Sequence, residues 1–327
     1  MREEISVAFA VDRGYFNQAA VVIASILANT SRPDDLRFHI VHAEDEAWVA
    51  EQIVSWRAPH VRAVRAQNPF DEIGHNTHVS RAALLRTLLP VLLPHLDRVI
   101  YLDADVIVTG DIADLWGVDL GENAIGGVVD VGVYIRMTRA EQQTENELRD
   151  CQLLLGLNPD ENEYVNSGVL LMDLAKLREV RFSELARDMD EEYRDRLMFV
   201  DQDIINALLA DRMKLLDPRW NVSAQVWSRS GRRRHYYVLE RLGREMALQA
   251  RNHWLIHWTG PSKPWNDSRV AFGGMWWRYA EASGVQWRRP APARRTLGTA
   301  LRNCWLDSRA AISALSYRIS RPAAKRK

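Results

Sequence analysis

Asp103 and Asp105 lie two residues apart near the end of an apolar run, RVIYLDADVIVTG (98–110). In a strand, residues i and i+2 face the same side. Two like charges on one face of a buried strand repel and are costly to desolvate. Either the strand ends there at a surface, or something positive sits between the carboxylates. Carboxylate oxygens suit hard divalent ions such as Mg²⁺ or Mn²⁺. Such an ion could also grip a diphosphate and neutralise it as it leaves. The plainer alternative is a strand terminus running into a TGDI turn. A second segment, HWTGPSKPW (257–265), places His257, Gly260 and Lys263 in one short loop. A neutral imidazole can be a third metal ligand, a glycine lets backbone amides approach a phosphate, and a lysine adds positive charge. Its plainer alternative is a core histidine beside Trp258 followed by a surface turn.

The elements that must hold these residues alternate along the chain. ISVAFAV (5–11) reads as a buried first strand, NQAAVVIASILANT (17–30) as a helix, and LRFHIVHA (36–43) as a second strand. EDEAWVAEQIVSWRA reads as a helix and VRAVRA as a short strand. SRAALLRTLLPVLLPHL (80–96) reads as a helix interrupted near Pro90 and Pro94, leading into the Asp103 segment as a central strand. NAIGGVVD (123–130) is a further strand ending at Asp130. EYVNSGVLLMDLAKLRE (163–179) is a strand entering a helix, and Asp201 opens another helix. Strands separated by helices predict βαβ units and a mostly parallel sheet. In such sheets ligands bind at the carboxyl ends of strands.

The 327 residues suffice for one large α/β domain or two small ones; 47% are hydrophobic and 26% charged. Net charge is zero, so nothing in the composition points to nucleic acid. Charge is unevenly spread: Arg288 to Lys327 holds 11 Lys and Arg against one acid, Asp307. With no Gly/Ser linker before it, the chain reads as one domain over 1–287 plus a basic tail, 288–327. On a helix, Leu297, Leu301, Cys304, Trp305, Ile312, Leu315 and Ile319 would share one face. A basic amphipathic helix of this kind reads as an anchor to a membrane surface; the alternative is a helix packed on the domain. Two distant cysteines, Cys151 and Cys304, imply no disulfide framework and a reducing compartment. The N-terminus has no secretory pattern, and the apolar runs are too short to span a bilayer.

Together and in order, YLDADVIVTGDI, NSGVLLMDL, DQDIIN and HWTGPSKPW resemble the retaining glycosyltransferase family 8, and most of all its bacterial lipopolysaccharide galactosyl- and glucosyltransferases. The resemblance runs from about residue 5 to about residue 270. It implies a GT-A fold, a mostly parallel mixed sheet flanked by helices, and a UDP-sugar donor used with Mn²⁺, Mg²⁺ being possible. It implies Asp103, Asp105 and His257 as metal ligands, with Ala104 between them against the donor, and Gly260 and Lys263 on the diphosphate. Asp12 and Tyr15 would receive the uracil, Asp12 being equally readable as a cap; Gly14 stands where related enzymes can carry an Asn. Arg86, Asp130, Asn166, Asp201 and Gln202 match positions lining the donor sugar. Their alternatives are a solvated helix face for Arg86, turn residues for Asp130 and Asn166, and an N-cap for Asp201.

The implied reaction moves galactose or glucose from UDP to a hydroxyl of a glycan acceptor, such as a lipopolysaccharide core, with retention. Gln202 would lie opposite the leaving group. An amide is a poor nucleophile, so same-face attack is favoured, with Asp201 in reserve as nucleophile or positioning group. Segment 131–163 would form a lid excluding water. The implied location is cytoplasmic, peripheral on the inner membrane, through 288–327. Three other classes fit parts of the chain. They are a self-glucosylating initiator of the same fold, a haloacid-dehalogenase-like phosphatase, and a non-catalytic sugar-nucleotide or membrane-binding module. The phosphatase leaves HWTGPSKPW unexplained and would need its aspartate near the N-terminus.

Overall fold

Three strands, β1 (Ile5–Ala10), β2 (Leu36–His42) and β3 (Val61–Arg65), run parallel in register Ile5↔Leu36 and Phe38↔Val61. Two helices, α1 (Phe16–Asn29) and α2 (Glu46–Val54), connect them. A computed structural model describes residues 3–67, 81–133, 149–158, 162–224 and 253–291. The α1 sequence is almost continuously apolar because the helix is buried from Phe16 to Ile26, apart from Asn17. Asp45 caps α2 by accepting from Trp48 N.

The predicted helix over 80–96 is instead a 3-10 helix, Arg81–Leu88, running into one α-turn, α3 (Leu89–Leu92). Pro90 fits a first turn, where its missing N–H costs nothing, but it cannot accept a helix arriving from behind. The apolar run 98–108 also divides. It forms β4 (Arg98–Leu102) and β5 (Val106–Val108), which lie in different sheets, and Asp103–Asp105 make the turn between them. The four residues from Val99 to Leu102 are buried, two on each face, which is why they read as one apolar string.

After α4 (Ile112–Trp116) come β6 (Ile125–Val129) and β7 (Val165–Asp173). β7 passes directly into α5 (Leu174–Glu179), followed by α6 (Phe182–Tyr193), α7 (Asp201–Leu209) and β8 (Met213–Leu215). The main sheet has the order β3-β2-β1-β4-β7-β6-β8 and is antiparallel only where β7 meets β4 and β6. β9 (Val222–Ser223) and β10 (Leu255–His257) join β5 in a three-stranded sheet, and α8 (Gly273–Ala282) packs against α1.

One irregularity prepares the site. Pairing of β6 with β7 jumps from Gly127↔Leu170 to Val128↔Asn166. Ser167, Gly168 and Val169 thus have no β6 partner, and Asp103 N donates to Gly168 O at 2.8 Å. A bulge of this kind re-aims side chains beside a ligand site.

Among the described residues no helix is long and apolar enough to cross a membrane. The expected tail lies outside the described residues from 292 onward, as do 134–148 and 159–161 of the expected lid.

Candidate active site

The turn between β4 and β5 carries Asp103 and Asp105 to the carboxyl end of the main sheet. β10 brings His257 beside them through the pair His257↔Val106, and Trp258 N donates to Asp105 O at 3.0 Å. One ligand atom from each of Asp103, Asp105 and His257 falls within 4.8 Å of the others. His257 Nε2 lies 3.1 Å from Asp105 Oδ1 and 3.7 Å from Asp103 Oδ2. Asp105 Oδ1 is buried without a hydrogen-bond partner. A buried oxygen of this kind is costly unless a cation meets it. The donor set, two carboxylates and one imidazole, fits a hard or borderline divalent ion. The strand ends at Leu102, and beyond it the three side chains converge on a place that could hold a cation.

Lys263 supplies the first positive charge. Its ammonium contacts Asp105 Oδ2 and the Trp258 carbonyl, and it lies 5.9 Å from the Tyr15 ring. Burial opposes its charge, but Asp105, Tyr15 and Asp103 outweigh that and raise its pKa. Burial alone would push Asp105 up; Lys263 and His257 hold it well below the usual carboxylate range.

Arg86 supplies the second, and it is not on a solvated face. It is 5% exposed, because a 3-10 helix spaces side chains by 120° rather than 100° and turns this one inward. Its Nη2 lies 2.9 Å from Asp103 Oδ1 and its Nε 3.2 Å from Asp201 Oδ2. Nη1 donates to Ser167 O at 2.7 Å and to Ser167 Oγ at 3.1 Å, and the guanidinium stacks 4.6 Å over Tyr101. Tyr101 in turn donates to Asp103 Oδ1 at 2.7 Å. Burial pushes Asp201 up to about 6, with Arg86 opposing and Asp103 reinforcing the rise.

Asp130, Asn166 and Gln202 form a hydrogen-bonded cluster. Gln202 Oε1 accepts from Asn166 Nδ2 at 2.9 Å and from Ser167 N at 3.1 Å, while Gln202 Nε2 donates to Asp130 Oδ2 at 3.1 Å. Asp201 is the first residue of α7 rather than its cap; the cap position is Val200, at φ 48° and ψ −106°. A β-branched residue there costs about 1–3 kcal/mol. Asp203 secures the turn. Its Oδ2 accepts from Met198 N and Phe199 N, each at 2.7 Å, and its Oδ1 from Tyr164 OH. Asp203→Ala leaves these donors without that acceptor in a buried place. A loss of about 2–4 kcal/mol is expected in denaturant unfolding, with a fall in activity as the turn releases Asp201 and Gln202.

One cavity of about 290 Å³ is lined by the proposed ligands, by Lys263, Arg86, Asn166, Ser167, Asp201 and Gln202, and also by Asp12, Tyr15 and Ala104. Asp12 Oδ1 accepts from Tyr15 N at 3.0 Å, so its turn-forming role is real, although α1 itself starts beyond it. Two expected residues do not border the cavity. Asp130 stands behind Asn166 and Gln202, and Gly260 is half-buried in the loop before Lys263.

Comparison with known proteins agrees with this geometry. Residues 6–269 match the family described as Glycosyl transferase family 8. The chain belongs to that family. A crystal structure of the galactosyltransferase LgtC, in complex with donor and acceptor sugar analogues, superposes with a TM-score of 0.70 at 26% identity, over 86% of this chain and 97% of that one. A lipopolysaccharide 1,2-glucosyltransferase of Escherichia coli K12 is 29% identical over 273 residues, 81% of this chain and 73% of its own length. General stress protein A of Bacillus subtilis is 24% identical over 266 residues, 79% of this chain and 86% of its own. The protein has the GT-A fold and is a retaining hexosyltransferase acting on glycan acceptors.

Several residues of this family 8 enzyme escaped the sequence reading. Ser167 and Gly168 sit inside the quoted NSGVLLMDL motif, yet only the bulge shows why both are needed. Tyr101 was counted as apolar core. Asn221, which contacts both His257 and Asn166, lies in a turn-rich stretch with no motif around it.

Proposed function

We propose that this enzyme transfers galactose or glucose from a UDP-sugar, with Mn²⁺ bound by Asp103, Asp105 and His257, to a lipopolysaccharide core or similar lipid-linked glycan. The observation that carries the reading is the convergence of two carboxylates and an imidazole on one place beside the ammonium of Lys263. Bound there, the metal would neutralise the diphosphate, making it a good leaving group without a strong general acid. Lys263 is positioned to exchange its contact with Asp105 for a donor phosphate. Asp12 and Tyr15 line the same cavity and would receive the uracil. The name of the Escherichia coli relative supports a lipopolysaccharide-type acceptor; the same reading has the enzyme act on the cytoplasmic side of the inner membrane, with 288–327 as the contact to its surface.

The amide geometry favours same-face attack. Gln202 Oε1 already accepts two N–H groups, so neither of its lone pairs is free for the anomeric carbon. Asp201 is engaged by Arg86. The acceptor hydroxyl oxygen then bonds to C1 on the face that the phosphate oxygen leaves, and its proton passes to that oxygen. Asn166 and Gln202 orient the sugar, Asp130 holds their two amides from behind, and the buried walls keep water from C1.

The test is Mn²⁺-dependent UDP release from a panel of UDP-sugars, by wild type and Asp105→Ala. Release from one donor, absent without metal and absent in the variant, identifies the class and the sugar. Failure of UDP with Mn²⁺ to raise the melting temperature of the wild type would refute the site. Intact-mass analysis after incubation with donor alone should show an unmodified chain; a gain of one hexose would exclude the same-face route or mark self-glucosylation.

A further inference from the structure

Asn221 lies between the 3-10 turn Pro218–Trp220 and β9, and is 6% exposed. Its amide is oriented by a chain of bonds that begins in the backbone. Gly168 N donates to Asn166 Oδ1 at 3.0 Å, which identifies that atom as oxygen. Ser167 N donates to Gln202 Oε1, so Asn166 must present its NH₂ to Gln202 and to Asp130 Oδ2, at 3.0 Å from the latter. The group of Asn221 that faces Asn166 Oδ1 at 2.8 Å must then be its Nδ2, and its Oδ1 faces His257 Nδ1 at 3.0 Å. An amide oxygen only accepts. Nδ1 therefore carries a proton, and Nε2 is the nitrogen that faces Asp103 and Asp105.

We infer that Asn221 is a positioning residue: it relays the orientation of the β7 backbone to His257, fixes the Nδ1–H tautomer, and ties the metal end of the cavity to its sugar end. The inference rests on the reading of Asp103, Asp105 and His257 as a metal site. Partners that hold a ligating histidine in one tautomer typically change metal affinity by about 10- to 100-fold when removed.

The tautomer can be read directly in the metal-free full-length protein. With ¹⁵N-histidine labelling at mildly alkaline pH, the ring missing from the spectrum of His257→Gln is His257. It should show a protonated Nδ1; a bare Nδ1 in the wild type overturns the inference without any Asn221 variant. Asn221→Leu should then weaken binding of Mn²⁺ alone, followed by electron paramagnetic resonance of the free ion, by about 10- to 100-fold. Asn221→Asp keeps an acceptor for Nδ1–H but offers no donor to Asn166. It should hold Mn²⁺ nearly as wild type does while kcat falls. Unchanged Mn²⁺ affinity in Asn221→Leu, or equal loss in both variants, would overturn the relay. If the wild type binds no Mn²⁺, the metal reading fails, and the tautomer measurement still decides whether Asn221 sets the ring.

Discussion

Gly168→Ala should abolish metal binding and lower turnover by at least about a thousandfold, with little disturbance of the main sheet. A Cβ at this position would stand 2.4 Å from His257 Cε1 and 2.5 Å from Asp103 Oδ2. Real Cβ atoms do not approach so closely, and both neighbours are proposed ligands, so the methyl group and the assembled triad exclude each other. The glycine answers to a close approach, not to an unusual φ; β7 is extended here. Relief has to come from the side chains, because Gly168 O is held by Asp103 N and the strand by its pairing with β4. His257 can move only by leaving Asn221, and Asp103 only by leaving Arg86 or Tyr101. Displacing a catalytic group by about 1 Å can cost about a hundredfold by itself, and here two ligands are displaced together. The check is isothermal titration of Mn²⁺ into the variant alongside its far-ultraviolet circular dichroism. A variant that binds Mn²⁺ with wild-type affinity would show that the three side chains do not share one ion.

The same region shows which parts of this protein can be read from its residues. Asp103, Asp105, His257 and Lys263 were legible because each lies in a short segment whose neighbours carry the chemistry. Their convergence on one place was implied by the family resemblance, since the two segments alone left a turn and a core histidine open. β1 was legible because burial on both faces leaves an apolar string, β2 because its residues alternate, and α1 because its apolar residues recur at helical spacing. The division of 98–108 between two sheets was not legible, since β4 and β5 are equally apolar and only the partners differ. Arg86 was misread for a geometric reason: face assignment at 100° per residue fails in a 3-10 segment, and the error places a buried cation in solvent. Asn221 and Ser167 act through contacts with residues 35 to 81 positions away. No local pattern records such contacts.

Arg86→Met should destabilise the protein by about 3–5 kcal/mol at neutral pH, and Asp201→Asn placed on top of it should restore a large part of that loss. Removing one partner of a buried ionic cluster leaves the others uncompensated in a poor dielectric. In Arg86→Met, Asp103 keeps Tyr101 as a donor, whereas Asp201 loses the guanidinium it faces. The wild-type Asp201 is already pushed up to about 6 by burial, with Arg86 opposing that rise. Without Arg86 it rises further. The sign of the pH dependence follows. A carboxyl whose folded pKa is above its unfolded value of about 3.9 favours the folded state most when protonated. Its contribution is complete below pH 4 and is lost as pH rises through 6 in the wild type; in Arg86→Met the loss extends to higher pH. Two pKa units correspond to about 3 kcal/mol. Asp201→Asn alone should therefore flatten the stability profile between pH 4 and 6 while costing little at pH 7, since it removes an ionisation that burial resists. Urea unfolding of the wild type, both single variants and the double variant at several pH values measures the coupling directly. Additive losses at pH 7 would mean that Arg86 serves Asp103 and Ser167 alone, with Asp201 compensated by some other group.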